Sequence, residues 1–105
     1  MTEITPEELK SKLSCGEKLI LIDVREPQEY EICRIEGAKW IPMRELPGRI
    51  GELNPKDPTV IFCHSGGRSA RVVSWLEEQG FEDVKNLEGG IDAWAELVDP
   101  TMDRY

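Results

Sequence analysis

Two stretches of this chain, Leu19-Ile20-Leu21-Ile22 and Thr59-Val60-Ile61-Phe62, contain no charged residue and no alternation of polar with apolar side chains. A strand with one face in water alternates, because successive side chains point to opposite faces of the sheet. A strand without alternation is covered on both faces, which is the habit of parallel sheets. Parallel strands need crossover connections, and helix-type segments lie between the runs. The expected architecture is therefore α/β: an open, mostly parallel central sheet with helices on both faces.

The punctuation supports this reading. Thr5-Pro6-Glu7-Glu8 has the form of a capping box, with Pro6 at the first helical position and Leu9 and Leu13 on one face. Gly16 suits the helix stop. Glu26-Pro27 opens a short helix carrying Tyr30 and Ile32, and Ala38 to Ile41 reads as a strand closed by Pro42. Leu46, Ile50 and Leu53 fall at helical spacing, so Met43 to Leu53 is predicted helical, ended by the turn cluster Asn54-Pro55-Lys56-Asp57-Pro58. Ser69 to Gln79 is predicted as a helix with Val72, Val73 and Leu76 inward and Gly80 as its stop. Val84 to Leu87 is a last strand, before a helix bearing Ile91, Trp94 and Leu97. No repeat or linker divides the chain, and its 105 residues read as one domain spanning 1–105.

Composition narrows the function classes. Thirteen basic against 21 acidic residues give a formal net charge of -8. Such a surface repels phosphate backbones and anionic lipid, so neither nucleic acid nor membrane is the expected partner. Three cysteines cannot all pair with one another, which points to free thiols in a reducing compartment. The mixed, acidic start MTEITPEELK has no basic, apolar leader pattern, and a cytoplasmic location is expected.

In open α/β sheets, ligands bind outside the carboxyl ends of the strands. That rule selects the segments after Ile22 and after Phe62. The second, Cys63-His64-Ser65-Gly66-Gly67-Arg68-Ser69, joins a buried strand to a helix through two glycines. Gly66 and Gly67 allow the backbone to curl, so that successive N–H groups face inward as an anion cup. The positive end of the next helix adds to it, and a thiol of reference pKa ~8.5 is pulled down in such a place. Arg68 adds a fixed charge at the far end of the loop.

With those residues in hand, the chain resembles the single-domain rhodanese family of persulfide-forming sulfurtransferases. Leu21-Ile22-Asp23-Val24-Arg25-Glu26 with Glu29-Tyr30, Ile35 with Gly37-Ala38 and Ile41-Pro42, the loop Cys63 to Ser69, and Leu87-Glu88-Gly89-Gly90-Ile91-Asp92-Ala93-Trp94 are similar to its ordered motifs. The resemblance implies that Cys63 takes a sulfane sulfur from a small donor such as thiosulfate, holds it as a persulfide, and yields it to a thiophilic acceptor. The loop N–H groups would stabilise the bound persulfide, with no metal and no organic cofactor. The chain departs from the family at Cys33-Arg34-Ile35-Glu36-Gly37-Ala38, where Arg34 replaces a common histidine and Cys33 adds a thiol. The tail Asp99-Pro100-Thr101-Met102-Asp103-Arg104-Tyr105 resembles that of rhodanese domains fused to sulfur-carrier adenylyltransferases. That likeness supports a second reading, a relay module serving a sulfur-acceptor protein.

Each candidate has a plainer role beside it. Cys63 and Arg68 are the expected catalytic residues, though Arg68 could equally bond loop carbonyls. His64, Ser65, Gly66, Gly67, Asp23, Arg25 and Arg34 are the expected donor-binding set. Against that, Asp23 and Arg25 could form only an ion pair, His64 is expected to face solvent, and Ser65 could simply satisfy the turn. Cys15 is expected to be incidental, Cys33 to pack, and Trp75 and Trp94 to anchor helices. A phosphatase or arsenate reductase also uses a cysteine, a glycine loop and an arginine. Here the Cys63–Arg68 spacing is one residue shorter than the phosphatase pattern, and the smaller cup suits a single sulfur.

Overall fold

The computed structural model describes residues 2–105. In chain order the elements are β1 (Glu3–Ile4), α1 (Pro6–Ser14), β2 (Ile20–Asp23), α2 (Pro27–Ile32), β3 (Lys39–Trp40), α3 (Leu46–Arg49), β4 (Thr59–Phe62), α4 (Gly67–Glu78), β5 (Val84–Leu87) and α5 (Gly90–Leu97). Single 3-10 turns flank α3 at Met43–Glu45 and Ile50–Glu52. The five strands form one parallel sheet in the order β1-β5-β4-β2-β3.

The unalternating runs are the central strands. β4 lies between β2 and β5, with Ile61 opposite Ile22 on one side and Asn86 on the other, and all four of its residues are buried. Its side chains divide between two cores. Val60 and Phe62 pack with Leu9, Leu87, Ile91 and Trp94, and Ile61 packs with Val72, Val73, Leu76 and Phe81. Helices thus cover both faces, as the runs require. The stripe Ser69, Val72, Val73 and Leu76 is the buried face of α4. Each fully buried aliphatic side chain there contributes roughly 1.5–3 kcal/mol of transfer free energy, far more than helix propensity does.

The capping box at α1 forms as expected. Thr5 Oγ1 accepts from the Glu8 N–H at 3.1 Å, and the Thr5 N–H donates to the Glu8 carboxylate at 3.0 Å. Two expectations differ. Residues 43–53 keep their apolar spacing but not one helix, because Pro47 lacks a donor and Gly48 and Gly51 weaken the turns after it. The helix expected from Ser69 begins two residues earlier, at Gly67. β1, which pairs with β5 at Asn86 and Leu87, is two residues long and too short to show periodicity.

Candidate active site

Cys63 follows β4 directly and is 1% exposed. The backbone turns at Gly66, whose φ of 107° lies in the left-handed region open to glycine, and α4 starts on the next residue. The turn brings the Gly66 N–H to 3.2 Å and the Ser69 N–H to 3.4 Å from Cys63 Sγ, with the Ser69 hydroxyl at 3.3 Å. The other side of the loop is held by the start of α5. The Ile91 N–H donates to the Cys63 carbonyl at 2.9 Å, and the Asp92 N–H to the His64 carbonyl at 3.0 Å. Two helix N-termini therefore meet at this loop. Burial pushes the Cys63 thiol up, but the Ser69 hydroxyl and the N–H groups of Ser69, Gly66 and Arg68 outweigh it, leaving the thiol below its ordinary value.

Arg68 does not bond loop carbonyls. Its guanidinium grips the Glu29 carboxylate through both terminal nitrogens, at 2.6 and 2.7 Å, so it ties the start of α4 to α2. The bonds from Arg68 hold Glu29 down at about 2, with burial opposing. Asp23 and Arg25 are both 0% exposed, which corrects the expectation that they wall a donor site. Arg25 Nη2 donates to Asp23 at 2.7 Å and to the Cys33 carbonyl at 2.7 Å, so the pair braces the carboxyl end of β2 from within. Arg34 is also misplaced by the sequence reading. Its guanidinium carbon lies 4.3 Å from the Tyr30 ring centroid. It lines a groove of about 590 Å³ with Leu13, Trp94 and Met102, in which no residue of the Cys63 loop takes part.

Among the loop residues, Ser65 and Gly67 are exposed, Gly66 is buried, and His64 is half-buried rather than facing solvent. The last residue of the tail, to which the sequence reading gave no place in the site, covers His64: the Tyr105 ring stacks on it at 4.1 Å between centroids and 17° between planes. The Tyr105 hydroxyl accepts from Arg25 Nη1 at 3.1 Å and donates to Glu29 at 2.9 Å. Burial pushes that phenol up to about 12, so it stays a neutral donor at physiological pH. Under this tail His64 Nε2 is buried and has no hydrogen-bond partner among the described residues. Asp92, 3.9 Å away, is already bonded by Arg104. Glu29, Ser69 and Asn86 also belong to the assembled site. Glu29 and Ser69 stand inside recognisable motifs, but Asn86 and Tyr105 carry no local signal of their role.

The Glu29–Arg68 pair sets an acid dependence. A carboxyl held at about 2 when folded, against 4.5 ordinarily, contributes stability that is complete above about pH 4.5 and is lost as pH falls through 2. Glu29→Gln should flatten the fall of melting temperature between pH 4.5 and 2. Equal slopes in the two proteins would show that the pair does not carry it.

Residues 5–97 match the model of the rhodanese-like domain. Over 96 residues the chain is 42% identical to a sulfurtransferase of Allochromatium vinosum, covering 90% of this chain and 89% of that one. It is 43% identical to the probable adenylyltransferase/sulfurtransferase MoeZ of Mycobacterium tuberculosis, covering 97% of this chain but 26% of that protein. It likewise spans well under half the length of other curated relatives. The crystal structure of a rhodanese-like domain protein from Staphylococcus aureus superposes with a TM-score of 0.87 at 37% identity, covering 100% of this chain and 99% of that one. The chain belongs to the rhodanese-like domain family, and its sulfurtransferase relatives support a role in sulfur transfer. Among the described residues no helix is long and apolar enough to cross a membrane.

Proposed function

We propose that this chain is a sulfurtransferase working through a persulfide on Cys63, loaded from a small anionic sulfane donor of the thiosulfate type. The observation that carries the proposal is the ring of donors at 3.2–3.4 Å around a buried Cys63 Sγ, which favours the thiolate. In the first step Sγ attacks the sulfane sulfur. The Sγ–S bond forms, the S–S bond of thiosulfate breaks, and its electron pair leaves with sulfite. N–H groups of the loop between His64 and Arg68 then hold the outer sulfur as an anion. Arg68 serves by fixing the loop through Glu29, and the exposed Ser65 meets the donor. The reaction needs no metal or organic cofactor. The free thiols Cys15, Cys33 and Cys63 favour a reducing, cytoplasm-like compartment.

Protein incubated with thiosulfate should gain one sulfur, about 32 mass units, removable by cyanide or dithiothreitol. Loading should weaken as pH falls below the thiol pKa, and peptide mapping should place the sulfur on Cys63. Sulfur on Cys15 or Cys33 would overturn the assignment. A relay to a dedicated acceptor protein is the second reading, favoured by the likeness to MoeZ, named as both adenylyltransferase and sulfurtransferase. Under it, a protein thiol or thiocarboxylate-forming acceptor would discharge the persulfide faster than cyanide at equal concentration.

A further inference from the structure

Ser69 has one hydroxyl proton and three acceptors within reach, and it is 0% exposed, shut off from bulk solvent. Its oxygen lies 3.3 Å from Cys63 Sγ, 3.3 Å from the Gly66 carbonyl and 2.5 Å from Asn86 Oδ1. The Asn86 amide cannot turn freely, because its Nδ2 donates to the Gly66 carbonyl and to the Glu3 carboxylate, each at 3.2 Å. That leaves Oδ1 aimed at Ser69. The Gly66 carbonyl already accepts from the Ala70 N–H and from Asn86 Nδ2, so the one proton has two open positions, the sulfur and the fixed amide oxygen.

We propose that Ser69 is a catalytic donor to Cys63 Sγ, acting chiefly when the persulfide is discharged, and that Asn86 is the positioning residue where its proton rests in between. The proposal builds on the persulfide reading above. In the loaded state Sγ is a neutral inner sulfur and a weak acceptor, so the hydroxyl turns to Asn86 Oδ1. When cyanide attacks, its carbon bonds the outer sulfur, the Sγ–S bond breaks, and the electron pair returns to Sγ as thiolate while thiocyanate leaves. Charge grows on Sγ in that step, and the hydroxyl swings to meet it. Loading runs the other way. It begins from a thiolate that Ser69 already stabilises and moves charge outward, so the hydroxyl gives that step no acceleration.

The ionisable groups on the elements around the loop are Arg68 of α4, Glu29 of α2, Asp92 of α5 with its partner Arg104, Glu3 of β1, the buried Asp23–Arg25 pair, and His64 with Tyr105 stacked on it. The Arg68 guanidinium is held on Glu29 and acts on the Cys63 charge only through space. None of them changes in Ser69→Ala, which removes only the hydroxyl.

Two measurements test the proposal. The pH profile of iodoacetamide alkylation at Cys63 reads the thiolate without any sulfur transfer. In Ser69→Ala its midpoint should move upward by about one pH unit, and Ser69→Thr, which keeps the hydroxyl, should move it back. The half-reactions are then followed separately above the thiol pKa by stopped mass analysis. Discharge to cyanide should slow roughly tenfold in Ser69→Ala while loading from thiosulfate is not slowed. An unmoved alkylation midpoint, or equal slowing of both halves, would overturn the proposal and reduce Ser69 to a packing role. Wild-type protein that takes up no sulfur would refute the persulfide reading instead, and the alkylation profile would then judge the hydroxyl by itself.

Discussion

Replacing Cys63 by serine is expected to lower thiosulfate:cyanide sulfurtransfer by at least about three orders of magnitude, equivalent to ~4 kcal/mol of transition-state stabilisation. The serine hydroxyl is close in shape, and Gly66, Ser69 and Ile91 can keep their places around it. What disappears is the nucleophile: an alcohol does not ionise near neutral pH, and oxygen does not hold a sulfane sulfur as a dischargeable persulfide. Cys15→Ser and Cys33→Ser should keep most of the activity. Cys15 is exposed at the end of α1, and Cys33 is a half-buried thiol 3.8 Å from Arg25 Nη1. A Cys33→Ser protein as inactive as Cys63→Ser would establish a two-thiol mechanism. The comparison is clean if melting temperatures confirm that all three variants fold.

The loop around Cys63 is readable from sequence because its chemistry is local. Cys63, Gly66 and Ser69 lie within two turns of chain, and a short backbone curl at a strand end fixes their relation. The central strands are legible for a similar reason: burial on both faces removes alternation from Thr59–Phe62, whatever the rest of the fold does. The bonds that finish the site are long-range. Arg68 meets Glu29 across 39 positions, Ser69 meets Asn86 across 17, and Arg25 meets Tyr105 across 80. No periodicity encodes such a meeting; it arises from the sheet order that sets β5 and β2 on either side of β4.

The same distinction explains the misplaced arginines. Proximity to a strand end and a motif position suggest donor contacts for Arg25 and Arg34, on the premise that a charge there meets an anionic donor. A planar guanidinium, however, can be buried when every donor is matched. Arg25 meets that condition through Asp23, the carbonyls of Glu29 and Cys33, and the Tyr105 hydroxyl. Arg34 has no such set in its segment and lies outward over Tyr30. Sequence specifies the charge, and only the fold decides which way it faces.

Gly90→Ala is expected to be the most damaging single-methyl change in the chain. A Cβ built there would stand 2.4 Å from the His64 carbonyl oxygen and 2.5 Å from that of Cys63, contacts that require backbone to move. Residue 90 also has φ of 62°, in the left-handed region, where an L side chain costs roughly 1–2 kcal/mol before any clash. The two carbonyls that would be displaced are those held by the Ile91 and Asp92 N–H groups, so the strain falls on the clamp behind Cys63. Gly16 provides the control. Its φ of 73° is similar, but a Cβ there meets nothing within 4 Å, so Gly16→Ala bears the conformational cost alone. Gly90→Ala should therefore lose about 3 kcal/mol or more, lowering the melting temperature by roughly 10 °C or more. Gly16→Ala should lose about a third of that. Sulfurtransfer in Gly90→Ala should drop further than unfolding explains when assayed well below its melting point, because the loop donors no longer converge on Cys63 Sγ. Equal melting temperatures for the two variants would show that the close approach of α5 to the Cys63 loop is not rigid, and the clamp would lose its part in shaping the cup.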